Sequence, residues 1–302
     1  MTSLITIFTN NLLPILLVAT IGYILQRSLK LDPRPISQVV FNVFTPALVF
    51  SVLVSTNIEA DDIGRMVSFT VVIMAIIGII SLLLSRVMKL HGSIVSAFIL
   101  STTFANAGNY GLSVNQFAYG EEALAWASLF YVTNSLLINS AGVYIASVGK
   151  LSPKVAFLGL LKVPVVYAIP LALLVRSANI DLPLAIWRPI ELLGAAAVPA
   201  MLIILGMQIG RSGPPRKVGL LSLTVFLRLI LSPLIALLIA PIWGLAGLSL
   251  KAGVIEAAMP TAVLVSIIAI EYDAYPEFVT GAILTTTLIS PLTITPLLAF
   301  LS

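Results

Sequence analysis

Thr103-Phe104-Ala105-Asn106-Ala107-Gly108-Asn109-Tyr110-Gly111-Leu112-Ser113 interrupts an otherwise apolar segment that runs from Ile94 to Ala118. A hydrocarbon core offers unpaired backbone groups no water, so a Gly- and Asn-rich break at that depth must be buried in protein or line a cavity. A counterpart lies farther on. Ala257, Ala258, Met259, Pro260, Thr261 and Ala262 interrupt the segment from Leu250 to Ile270, and a proline there removes one helical hydrogen bond and clashes with the preceding turn. Two interrupted spans at corresponding places in two halves point to the midplane binding site of a transporter.

The composition sets the solvent. Of 302 residues, 59% are hydrophobic and 9% charged, against about 25% charged in ordinary soluble domains. The chain is therefore read as an all-α polytopic membrane protein. It has no cysteine, which removes disulfides, thiolate metal sites and thiol nucleophiles. No basic region precedes the first apolar run, which is long enough to span, so that run is read as a retained helix and not as a signal peptide. The net charge of +4 bears on topology and lipid headgroups; no nucleic-acid partner is expected.

Apolar runs near the roughly 20 residues that a bilayer requires fall at Leu4 to Gln26, Ile36 to Ser55, Val67 to Val87, the interrupted fourth segment, Leu124 to Val148, Val155 to Val175, Ile190 to Gly210, Val218 to Trp243, the interrupted ninth segment, and Phe278 to Leu301. These are ten expected transmembrane helices with no soluble domain. Setting Thr45-Pro46-Ala47-Leu48 of the second span over Val198-Pro199-Ala200-Met201 of the seventh gives an offset of 153, which carries Ala107 onto Pro260. The chain then divides into a first five-helix repeat, 1–150, and a second, 151–302. An odd number of spans per half makes the 5+5 repeat inverted, the arrangement on which alternating access is commonly built.

Loop charges predict the orientation. Connections on one face hold Arg27, Lys30, Arg34, Arg86, Lys89, Lys150, Lys154, Arg211, Arg216 and Lys217, ten basic residues, whereas the other face holds Arg65, Arg176, Arg188 and Lys251, four. The positive-inside rule then puts both termini outside the cytoplasm. Glu271, Asp273 and Glu277 run against the pattern on the inner face, but acidic residues weigh little in it.

At each break the second half-helix should begin near the midplane with unpaired amides and a positive dipole end, a ready anion site. Asn106, Asn109 and Thr261 can donate to a carboxylate without adding a fixed charge. The expected ligand is a small organic anion. Arg228, near the centre of the eighth span, would cost at least about 2.5–3.5 kcal/mol if unpartnered. Glu256, one turn before the second break, is its expected ion-pair partner. The sharper alternatives make Arg228 a substrate countercharge or Glu256 a proton-coupling group. Lys162 is expected to snorkel to the inner face, and His91 lies in a solvated loop. No cofactor and no metal site is expected. The sequence lacks HExxH, GxSxG and aspartate-rich metal motifs, so it does not read as an enzyme.

Ala257 to Val263 with its continuation Ala269-Ile270-Glu271-Tyr272-Asp273, Asn106 to Leu112, and Phe44-Thr45-Pro46-Ala47-Leu48-Val49-Phe50 together resemble the auxin efflux carrier family. The resemblance runs the length of the chain. It implies crossed broken helices 4 and 9, as in the fold of bile-acid symporters and Na+/H+ antiporters. It also implies a scaffold domain of helices 1, 2, 6 and 7 and a transport domain of helices 3–5 and 8–10 that moves as an elevator. Plant members with a long central loop carry auxin, and compact bacterial members of this kind are associated with malate and other small carboxylates. The resemblance therefore implies a bacterial inner (plasma) membrane protein. The oligomeric state is open, and a homodimer through scaffold helices would suit an elevator, which needs one part held still. Its substrate site maps to Asn106, Gly108, Asn109, Gly111, Pro260 and Thr261, with Pro46 and Pro199 as an apolar wall. Ser113 stands where many members have proline, and the connection between the fifth and sixth helices is too short for a regulatory loop. A sodium-coupled organic anion symporter of the bile-acid type is the alternative. It would need oxygen ligands clustered at the crossing, for which Glu256 is the nearby candidate.

Overall fold

The computed structural model describes residues 3–147, 163–211 and 217–302. Lys150, Lys154, Lys162, Arg216 and the first part of the sixth apolar run lie outside the described residues. Every regular element within them is helical. In chain order these are α1 (Leu4–Leu29), α2 (Pro33–Ser55), α3 (Ala60–Val87), α4 (Ser93–Thr103), α5 (Ala107–Ala146), α6 (Pro164–Ser177), α7 (Leu184–Arg211), α8 (Val218–Ile242), α9 (Gly247–Ala257), α10 (Leu264–Glu271) and α11 (Pro276–Leu301). Seven of them, α1, α2, α3, α5, α7, α8 and α11, are long and apolar enough to cross a membrane, and α4 and α6 are shorter apolar helices.

Local chemistry sets the ends of these helices. Asp32 caps α2 by accepting from the Arg34 backbone N–H at 3.2 Å, with Pro33 in the first turn, where a missing N–H costs nothing. The same carboxylate pairs with Arg211 at 2.7 Å and ties the start of α2 to the end of α7. The run of α5 is two helices meeting at Gly120, whose φ of 83° and ψ of −169° no helix contains. Among the described residues α5 carries widened π turns at Ala107–Leu112 and Ile138–Gly142 with no proline beyond them, and three further helices carry one each, at Phe8–Leu12, Val40–Phe44 and Leu227–Leu231. These last three share a cause. Each lies two residues before a proline, Pro14, Pro46 or Pro233. A proline ring displaces the carbonyl of the preceding turn, and one extra residue in that turn relieves the clash.

Packing falls into two groups. In the first, α1 lies along α7, and α2 packs on α6 and α7. Small residues bring α1 and α7 to backbone contact: a Cβ added at Gly22 would overlap the Ile203 carbonyl, and one at Gly206 the Ala19 carbonyl. In the second, α3 packs on α4 and α5, and α9 packs on α5, α8 and α3. The groups meet where the first turns of α5, Ala107–Leu112, lie against Ala197–Arg211 of α7, and also where α1 touches α5 and α11 and where α2 touches α5.

Candidate functional site

Both expected breaks are present, and they are bonded to each other. Beyond Thr103 the backbone becomes extended at Phe104, with φ −96° and ψ 126°. Ala105 and Thr261 then form an antiparallel bridge. The Asn106 N–H donates to the Pro260 carbonyl at 2.8 Å, and the Ala262 N–H donates to the Phe104 carbonyl at 2.9 Å. Each break therefore supplies the partners that the other lost when its helix stopped, as buried backbone requires. Side chains complete the pairing. Asn134 on α5 donates to the Ala105 carbonyl at 2.8 Å and accepts from the Ala105 N–H at 3.3 Å. Thr286 on α11 accepts from the Thr261 N–H at 3.1 Å.

Of the expected site residues, Asn106, Gly108 and Asn109 line one small cavity of about 20 Å³ together with Ala105, Tyr131 and Asn134. Asn106 Nδ2 and Asn109 Oδ1 are buried there and have no partner. Gly108 is required by the fold, since a Cβ would come within 2.6 Å of the Tyr131 ring. Gly111 is also pressed on, by the Glu256 carboxylate, which a Cβ would overlap. The Thr261 hydroxyl, expected to be free for a ligand, instead donates to the Ser101 carbonyl at 2.7 Å. Pro199 lines a larger cavity of about 840 Å³ between α1, α2, α7 and the Gly120 corner of α5, with Glu121, Glu122 and Glu191 also on its wall. Pro46 lines neither of these cavities.

The expected ion pair between Arg228 and Glu256 is not formed. Arg228 is 1% exposed, and its Nε donates to the Met259 carbonyl at 2.8 Å. Its Nη1 donates to the carbonyls of Thr102 and Thr103 at 3.1 and 3.0 Å, and its Nη2 to that of Ala257. The terminal carbonyls of two stopped helices lack intrahelical donors, and they compete for the guanidinium more effectively than a single carboxylate one turn away. Glu256, fully buried, accepts from Asn115 Nδ2 at 3.1 Å through Oε1, while its Oε2 has no partner.

Sequence reading missed Asn115, Asn134 and Thr286. Asn134 could have been found, because an asparagine inside the run Ala123–Leu137 is costly in a membrane unless it is bonded. Thr286 could not, since a threonine in a spanning helix satisfies its own hydroxyl on the preceding turn, as it does here on the Ala282 carbonyl.

Apolar helices of membrane-crossing length, with two helix breaks bonded to each other in the interior, define an integral membrane protein of the transporter class. The chain belongs to the membrane transport protein family, the family of auxin efflux carrier-like proteins, which matches residues 7–152 and 147–298. It is 26% identical over 293 residues to an uncharacterised transporter of Methanothermobacter thermautotrophicus, covering 93% of this chain and 94% of that protein. It is 28% identical over 271 residues to a Rhizobium meliloti protein provisionally named a malonate transporter, covering 84% and 82%. An uncharacterised transporter of Methanocaldococcus jannaschii is 24% identical over 267 residues, 86% of each chain.

Proposed function

We propose that the protein is a secondary transporter that moves a small organic carboxylate anion across the membrane by elevator-type alternating access. The observation that carries this reading is the paired break, where the first turns after Asn106 and after Val263 begin beside each other next to a buried, unpartnered Asn106 Nδ2. Helix starts present backbone donors and a positive dipole end without a fixed charge. Such a site can bind a carboxylate and still release it. The provisional name of the Rhizobium relative supports the same ligand class.

In this reading the chain has ten transmembrane helices in two inverted repeats, 1–150 and 151–302, with both termini outside the cytoplasm. Asn134 and Thr286, which serve the two breaks from the last helix of each half, one residue off the offset of 153, support the repeat. The group of α1, α2, α6 and α7 forms the scaffold, and the remaining helices form the transport domain. Asn106, Gly108, Asn109, Gly111, Pro260 and Thr261 make the substrate site, with Pro46 and Pro199 on the scaffold side of its path. Glu256, with one buried oxygen unpaired, is the candidate for proton coupling, and a homodimer through scaffold helices would hold the stationary part still.

The test is uptake of radiolabelled malonate and malate into proteoliposomes. Asn109→Ala is expected to abolish saturable uptake at unchanged protein abundance. Normal uptake by that variant would remove Asn109 from the site, and uptake that never saturates would favour a pore.

A further inference from the structure

Each break in the crossing has two electrical ends. The stopped half-helix, α4 or α9, ends in carbonyls with partial negative charge, while the restarting half-helix begins with amides of partial positive charge. Left alone, the ends offset one another, and the carbonyl cluster would be a fair oxygen cage for a hard cation from solution. The carbonyls of Thr102 and Thr103 at the end of α4, of Ala257 at the end of α9 and of Met259 in the break just beyond it do converge on one point, and that point is the Arg228 guanidinium. The π turn Leu227–Leu231, with Ser232 also donating to the Ala257 carbonyl at 2.8 Å, sets the side chain there. The carboxylate that could neutralise it, Glu256, is engaged with Asn115 instead.

We propose that Arg228 is a resident cation of the crossing: it fills the carbonyl cage that a solution cation would otherwise occupy, cancels both negative helix ends, and leaves the two positive starts unbalanced. The protein is therefore independent of sodium, and its crossing is selective for anions. The anion half rests on the reading of the crossing as the substrate site; the sodium half rests on the geometry alone. Guanidinium suits the place because its planar fork serves several carbonyls at once and, unlike a carboxylate or an ammonium, it does not lose its charge on burial.

The experiment is thermal unfolding and malonate binding of the purified full chain in sodium chloride, choline chloride and low-millimolar guanidinium chloride. The wild-type midpoint is expected to be the same in sodium and choline. Arg228→Ala, which removes the cation and leaves the cage, should lose about 10 °C, in line with a broken buried charge network in a chain of this size. It should regain much of that loss with guanidinium or sodium but not with choline, a response that a purely space-filling role would not produce. Arg228→Lys should respond to sodium less than Arg228→Ala does, and least at low pH, where its ammonium holds its proton in the cage. If Arg228→Ala yields no folded protein, Arg228→Met and the wild-type comparison carry the test. Sodium-specific stabilisation of the wild type, or Arg228→Ala and Arg228→Met that respond to no cation, would overturn the proposal. Malonate binding only with sodium would sink this inference and leave the carboxylate reading standing. A sodium-indifferent wild type that binds no carboxylate, with a cation-rescued variant, would do the reverse.

Discussion

Asn134 does for Ala105 what a neighbouring strand does for a residue in a sheet: its amide matches one backbone donor and one backbone acceptor. Replacing it removes both partners from a buried peptide unit, and an unsatisfied buried group costs about 1–3 kcal/mol. Asn134→Leu is therefore expected to lower the thermal midpoint by several degrees even though it adds apolar surface, and differential scanning fluorimetry would check it. Asp32 works at the other extreme of exposure. The Arg34 backbone N–H, and after it Arg211, hold its carboxyl below the usual aspartate value of 3.8. Its contribution is fully present above that value and disappears as the pH falls through the lower folded one. Being exposed, the pair contributes little. Asp32→Asn should shift the midpoint slightly at neutral pH, and by progressively less as the pH falls below 3.8. At this scale the sequence named the right neighbourhood but not the bonding. Asn106, Asn109 and Pro260 stand out because polar residues and proline are conspicuous in apolar runs. The destination of the Thr261 hydroxyl, and the choice of Arg228 between four carbonyls and Glu256, depend on contacts between distant segments that no local pattern carries.

At the scale of the element, prolines in these helices act through the turn before them. Pro233 keeps Leu227–Leu231 one residue wide, and that extra residue turns Arg228 toward the ends of α4 and α9. Pro-to-Ala changes in a helix interior ordinarily favour the helix by about 3 kcal/mol. Pro233→Ala is expected to do the opposite, destabilising by roughly 2–3 kcal/mol as bonds to a charged group are lost; denaturant titration in detergent would measure it. The two breaks were legible in the sequence because glycine, asparagine and proline announce them. The π turns were not, because a widened turn has the same composition as an α turn; a proline two residues beyond marks those of α1, α2 and α8 but not those of α5. At Gly120 the chain passes from one helix to the next with almost no loop.

For the whole molecule, the apolar composition was enough to give an all-helical membrane protein, and the structure bears it out with seven helices of crossing length among the described residues. The grouping of helices could not be read locally. The backbone contact of α1 with α7 depends on Gly22 and Gly206, and each is an ordinary small residue until its partner is known. The absence of native cysteine makes the proposed relative motion directly testable. One cysteine in Ala107–Leu112 and one in Ala197–Arg211, placed where α5 meets α7, should form a disulfide that stops proteoliposome uptake, with activity restored by reductant. Undiminished uptake by the cross-linked protein would argue against movement between the two groups.

The cavity beside Asn106 and Asn109, of about 20 Å³, is large enough for a water molecule and too small for any dicarboxylate. A ligand that needs this place must draw the protein into a roomier conformation, so the affinity measured is the intrinsic affinity multiplied by the fraction of molecules already open. Were that fraction on the order of 1%, an intrinsically micromolar site would titrate near 100 μM. Substitutions far from Asn106 and Asn109 that favour the open form would then tighten binding without touching the ligand.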